Sequence, residues 1–188
     1  MHDILRKQIE KIVILSDDEF DFVLSHFVFR KYKKHQYLLQ ADNPARHDHF
    51  VAKGLLKSFY LNDAGKSYII QFAPEDWWIS DPQAYFNEIS ATLSIDCLED
   101  SEVYFLSLDN REKLCTESRK MEYFFRKKAQ AGYIALQKRI QSLVSLNAKE
   151  RYGQFLKLYP HLSQRISKGM IASYLGISRE TLSRITEA

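Results

Sequence analysis

Between Val28 and Leu108 the chain is a succession of short β-branched or aromatic runs: "YLLQ", "HFVAKGLLKSFYL", "SYIIQFA", "LSIDCLED" and "EVYFLSL". Turn residues separate them, and "NDAGK" at Asn62–Lys66 reads as a hairpin loop. Strands this short and frequent, without helices between them, predict an antiparallel sandwich or barrel.

The flanks have a different period. Ile4, Leu5, Ile9, Ile12 and Val13 are spaced as on an amphipathic helix. "LSDDEFDFVLSHF" starts a second one, with Ser16 as N-cap and Glu19 completing a capping box. After Asn110 the β signal stops, and about fifty residues from Arg111 to Tyr159 run without proline. Phe125, Ala129, Gly132, Leu136, Ile140 and Leu143 recur at steps of three and four, which lines them along one helical stripe. Lys127, Lys128, Lys138 and Arg139 lie largely off it. A second copy of the chain, with Ala129 and Gly132 at close approach, would bury such a stripe; the β region of the same chain is the other candidate. Pro160 ends a further helix, so residues after about Asn147 form a small separate unit. The predicted class is α+β: residues 1–110 with N-terminal helices and a β domain, 111–146 as a long dimerisation helix, and 147–188 as a C-terminal helical domain.

Charge divides at the same place. Residues 1–110 carry 11 Lys/Arg against 18 Asp/Glu, a net of −7, and residues 111–188 carry 16 against 6, a net of +10. Only the second part has the sign to seek a polyanion.

That basic part ends on "ISKGMIASYLGISRETLSRI", Ile166 to Ile185. Ser167 caps a short first helix, Ala172 is small where two helices must pack closely, and Gly176 follows four residues later for a tight turn. Ile177 is an apolar plug and Ser178 caps a second helix, so residues 147–188 are predicted to form a helix-turn-helix domain. Leu182 and Ile185 face inward, which leaves Arg179, Glu180, Ser183 and Arg184 outward. Arg donates two bonds to guanine and Glu accepts from cytosine, so this face suits base reading in a major groove. Ser167, Lys168, Ser178 and Thr181 are the candidates for phosphate contacts that set orientation.

In these residues and in the order of its parts, the chain resembles the Crp–Fnr superfamily of bacterial transcription regulators. "ISRETLSRI" is similar to the family's recognition helix, and "FVAKGLLKSFYLNDAGKSYIIQFAPEDWW" resembles its β-roll core, with Gly54, the Asp63–Gly65 hairpin and the Pro74–Asp76 turn matching. The resemblance implies an N-terminal antiparallel β-roll of the double-stranded jelly-roll type, a homodimer on palindromic double-stranded DNA, and base contacts from Arg179, Glu180 and Arg184. It adds RNA polymerase as a further candidate partner. It also implies a sensor domain with a small-molecule effector, for which Trp77, Ser80, Asp81 and Ser90 are the candidate pocket. The Gly-Glu pair and the Arg with which cyclic-AMP-sensing members hold ribose and phosphate are missing from "WWISDPQAYFNEISATLSI", where Ser90 stands at the Arg position. No cofactor is expected. The N-terminal cysteine cluster of oxygen-sensing relatives is absent too.

The rival class is a cupin-like metal-binding enzyme with a structural helical tail, suggested by "HDH" at His47–His49. The Glu such an enzyme needs is replaced by Lys53–Gly54, and the expectation is a polar surface loop after "DNPAR", with no metal and no catalysis. Only one of the adjacent Trp77 and Trp78 is expected to point inward, as core packing. Cys97 and Cys115 are too few and too casually spaced for a disulfide framework. No apolar run is long enough to span a bilayer and the N-terminus lacks a cleavage site, so a cytoplasmic location without membrane contact is expected.

Overall fold

The computed structural model describes residues 3–187. Contacts divide it into two compact units, Met1–Tyr60 with Gln71–Ala129, and Leu61–Ile70 with Gln130–Ala188.

The first unit begins with α1 (Asp3–Glu10) and α2 (Asp17–Leu24). Ser16 caps α2 in the predicted reciprocal box, its hydroxyl accepting from Glu19 N–H and the Glu19 carboxylate accepting from Ser16 N–H. Then come β1 (Val28–Tyr32), β2 (Tyr37–Leu39), β3 (His47–Lys53), β4 (Leu56–Leu61), β5 (Ser67–Ala73), β6 (Trp78–Ile79), α3 (Pro82–Asn87), β7 (Ser94–Cys97) and β8 (Ser101–Ser107). They form two four-stranded sheets, in the orders β1-β8-β3-β6 and β2-β7-β4-β5. This is the antiparallel roll predicted, with one correction. The strands are interrupted by α3, which "DP" starts: Asp81 accepts from Ala84 N–H at the N-cap, and Pro82 opens the helix.

Strand alternation gives the first sheet two different faces. His49, Val51, Val103 and Phe105 turn towards the interior of the roll, where Leu56, Ile79 and Ile95 join them. Phe50, Tyr104 and Leu106 turn the other way, against Leu5, Ile9, Phe20 and Val23 of α1 and α2. Leu114 of α4 (Leu108–Glu117) and Met121, Phe124 and Phe125 of α5 (Arg119–Ser145) complete that outer layer. Both tryptophans are used, one on each face: Trp77 packs with the roll interior, Trp78 with the outer layer.

Two further expectations are corrected. His47–Asp48–His49 is not a surface loop but the start of β3, with Asp48 and His49 buried. The helix after Asn110 is not continuous. It divides at Ser118, whose backbone is extended and whose hydroxyl accepts from Met121 N–H, so α4 stops and α5 is capped anew.

Inside the roll, a His49 ring nitrogen pairs with the Ile79 carbonyl at 2.9 Å, and burial pushes the imidazole from 6.5 down to about 4. The folded chain keeps it neutral where the unfolded chain protonates it. Stability should therefore fall as pH drops from 6.5 towards 4, by up to ~3 kcal/mol. Urea melts across that window should show the loss, and His49→Gln should flatten the slope. Burial also raises the Cys97 thiol to about 11, which leaves it unreactive.

Candidate nucleic-acid interface

The second unit is built on α6 (Ala148–Leu158), α7 (Lys168–Leu175) and α8 (Arg179–Glu187), with a 3-10 turn at Leu162–Gln164. Its core is Phe155, Tyr159, Leu162, Ile171, Ala172, Tyr174, Leu175 and Leu182. Asn147 and Glu150 cap α6 reciprocally. Ser167 caps α7 by accepting from Met170 N–H. Gly176, at φ +68°, ends that helix in the left-handed conformation, and Ile177 N–H closes the turn onto the Ala172 carbonyl at 3.1 Å. Three residues later the chain is helical again, so α7 and α8 are joined by a short turn whose backbone chemistry "LGIS" dictates.

Two side chains fix this pair from outside. Arg139 of α5 donates to the Tyr174 carbonyl at 2.7 Å and lies 3.7 Å over the Tyr174 ring, a cation at the C-terminal end of α7. Ser173 donates to the Ser67 carbonyl at 2.8 Å and accepts from Ile69 N–H at 3.0 Å, taking the place of a strand partner for residues of β5. Neither role was read from the sequence, where Arg139 is one charge in a basic helix and Ser173 a neutral spacer.

With Leu182 buried, Arg179, Glu180 and Arg184 are exposed and Ser183 is half-buried on the same helix. Among the described residues no ion pair joins Glu180 to either arginine. The backbone N–H at Glu180 itself, then the Ser178 hydroxyl, hold the Glu180 carboxyl below its ordinary value, so it is an ionised acceptor at neutral pH. Ser183 donates to Glu187 at 2.6 Å.

The polar groups around this face are partly engaged. Ser178 accepts from Thr181 N–H and its hydroxyl lies 3.1 Å from that of Thr181, while Lys168 donates to the Thr186 hydroxyl at 3.2 Å. A cleft of about 390 Å³ opens beside α8, lined by Asn147, Ala148 and Lys149 at the start of α6 and by Thr181, Arg184 and Ile185. Lys149 and Arg184 both line it. The sequence concealed this, because Lys149 lies 35 residues before Arg184. The last residue of the predicted recognition helix, Ala188, lies outside the described residues.

The α5 stripe divides between the units. Phe125 is a correction: it is 2% exposed in the outer layer of the first unit, beneath the Arg111 guanidinium at 4.3 Å, and offers no surface to a second chain. Ala129, Gly132, Leu136, Ile140 and Leu143 are exposed, with Tyr133 and Val144 alongside.

The candidate effector residues are not brought together as a polar pocket. Asp81 is buried and fully engaged by Ala84 N–H, Thr92 N–H, the Thr92 hydroxyl and Leu93 N–H. It builds the α3 corner. Ser90 is exposed, in an isolated bridge to Pro44. Trp77 packs into the roll interior, and Ser80 is half-buried beside Asp81.

Among the described residues no cluster of three or more His, Cys, Asp or Glu could hold a metal ion, and no helix is long and apolar enough to cross a membrane.

Residues 29–118 match the family of cyclic nucleotide-binding domains. No curated protein matches the chain by sequence. Solved structures with the same fold include FixK2 from Bradyrhizobium japonicum, with 20% identity and a TM-score of 0.74 over 86% of this chain and 83% of that one. CLP of Xanthomonas campestris, described as a c-di-GMP-responsive global regulator, has 14% identity and a TM-score of 0.70 over 89% and 88%. A protein described as a transcriptional regulator of the Crp/Fnr family, from Eubacterium rectale, has 14% identity and a TM-score of 0.69 over 92% and 82%. Residues 29–118 are thus similar to the cyclic nucleotide-binding domain family, in a chain that shares its fold with these solved structures.

Proposed function

We propose that the chain is a sequence-specific, DNA-binding transcription regulator that acts as a homodimer on a palindromic site. The observation that carries this reading is the outward face of α8. Glu180 and Arg184 stand exposed one turn apart with the exposed Arg179 beside Glu180, unpaired with each other, on a helix that Gly176 joins to α7, which Arg139 and Ser173 hold in turn. Two arginines and an ionised carboxylate are what guanine and cytosine edges recognise. Lys149, in the neighbouring cleft, and Lys168 would meet phosphates, with Ser167, Ser178 and Thr181 helping to set the register.

The exposed residues of α5 from Ala129 to Leu143 would be covered by the same helix of a second copy, placing two reading helices on half-sites about one DNA turn apart. In functional terms residues 1–110 would then be the sensor domain, 111–146 the dimer helix and 147–188 the helix-turn-helix domain. Binding of a small molecule preferentially to one arrangement of the dimer is all that switching requires. RNA polymerase would be the downstream partner, and the role is regulatory, not catalytic.

The test is a fluorescence-anisotropy titration against duplexes selected from a randomised palindrome library. Arg179→Ala and Arg184→Ala should each cost about 1–3 kcal/mol and relax base preference at one position, whereas Lys149→Ala should weaken all duplexes alike and lower the salt slope by about one. If the arginine variants bind every duplex as the parent does, α8 does not read bases.

A further inference from the structure

The first strands of the roll carry an arrangement that the reading above does not use. Along β1 and β8 the register pairs Val28 with Phe105 and Arg30 with Val103, and along β3 it pairs His49 with Phe105. Arg30, Tyr32, His47 and His49 therefore project on one face of the sheet, the face of Phe105 that turns into the roll. Around that ring they converge. The Arg30 guanidinium lies 5.2 Å over the Phe105 centroid, His47 meets the ring edge-on at 5.5 Å, and Tyr32 stacks on it at 5.8 Å. Arg46 precedes His47 in the chain and is exposed, as is Arg30.

We infer that Arg30, Arg46 and His47 form an anion-binding site at the β1 edge of the roll, taking a small dianion that presents carboxylate or phosphate oxygens. Three considerations carry it. First, the Arg30 guanidinium and the His47 imidazole meet on one ring, with the exposed Arg46 next to His47 in the chain, and among the described residues no carboxylate forms an ion pair with any of the three. This happens within residues 1–110, which carry a net charge of −7, so acidic side chains are plentiful but placed elsewhere. Second, the nearest carboxylate in sequence, Asp48, points to the opposite face and is held there by Lys128 and Arg111. Third, the half-buried His47 imidazole is kept below its ordinary value by burial, then by Arg30, then by Arg46. The groups facing it are Arg30, Arg46 and His49, and no acid. An arriving anion would relieve that repulsion and draw a proton onto His47.

The site has a route to the helices, because β3 presents His47 to the anion and Asp48, the next residue, to Lys128 of α5. The inference stands on the first unit alone and is independent of what α8 binds.

The experiment is an NMR titration of the His47 imidazole in the full chain, its resonance assigned by its loss in His47→Gln. Sodium phosphate and sodium succinate are each compared with sodium chloride at equal ionic strength. At least one anion should saturate and raise the apparent His47 pKa by about one pH unit, equivalent to roughly tenfold tighter binding to the protonated ring. The Arg30→Gln/Arg46→Gln double variant, altered only at exposed side chains, should lose most of that response. A response to phosphate alone assigns a phosphoryl ligand, to succinate alone a dicarboxylate, and to both a site that reads oxygen geometry. If neither anion exceeds chloride, or if the double variant responds as the parent does, the site does not exist.

Discussion

Asp48→Ala is expected to destabilise the first unit by roughly 3–5 kcal/mol, the loss that follows when one partner of a buried charge cluster is removed. Asp48 is buried on the outer face of β3. Lys128 donates to it at 2.6 Å and the Arg111 guanidinium lies 3.6 Å away. Both cations also rest on aromatic rings, Lys128 over Trp78 at 3.6 Å and Arg111 over Phe125 at 4.3 Å. Removing the carboxylate leaves two positive charges in a half-dry layer with only ring faces for company. The deficit should depend on pH in a definite direction. Burial already holds Lys128 below its ordinary 10.5, partly offset by Asp48. Without Asp48 its folded value drops further, so the folded variant binds fewer protons than its unfolded chain, and its stability rises as pH approaches 10.5. Denaturant midpoints at neutral and at alkaline pH check both statements. A loss under about 1 kcal/mol, or a deficit that grows with pH, would mean that the three groups are solvated individually.

Gly54→Ala should cost a similar amount by an unrelated mechanism. Gly54 joins β3 to β4 at φ +95°, a left-handed conformation that costs an alanine roughly 1–3 kcal/mol. An added Cβ would also stand 2.7 Å from the Asp100 carbonyl oxygen and 2.8 Å from Ser101 Cα, and would overlap the Ser101 hydroxyl. Backbone cannot swing aside as a side chain does, so displacing it adds about 1–3 kcal/mol. Gly54 N–H also donates to Glu75 at 2.9 Å, a bond that a shifted loop would strain. A combined loss of roughly 3–5 kcal/mol is expected, read as a lowered denaturation midpoint with unchanged m-value. A midpoint within error of the parent's would show that the β3–β4 turn has room to relax.

What the sequence disclosed, it disclosed where local chemistry and tertiary packing agree. Ser16 and Glu19 cap a helix because the box is self-contained. "LGIS" forms its turn because Gly176 and the backbone alone close it. The β runs were legible where they are buried on both faces, as in β7 and β8. β1 was not among them, because it lies at a sheet edge and carries Arg30 and Lys31, charges that keep edge strands from pairing further. His47–His49 misled for the opposite reason: three polar residues look like a loop until Lys128 and Arg111, far along the chain, arrive to accompany Asp48. Phe125 fitted the α5 stripe by spacing, yet periodicity cannot say which neighbour covers a given turn. Of the candidate interface, the α8 face was readable from its own nine residues, while Lys149 and Arg139 became visible only once helices distant in sequence lay side by side.

Trp77 and Trp78 are the chain's only tryptophans, and the alternation at β6 sends one to each face of the sheet. They are therefore a built-in pair of optical reporters. With Trp78→Phe, the remaining indole emits from the interior of the roll; with Trp77→Phe, it emits from beside the Lys128 ammonium, in the layer that α4 and α5 share with the roll. Whether the two emissions change at one denaturant concentration or at two distinguishes a roll that melts together with its helical coat from one that outlives it.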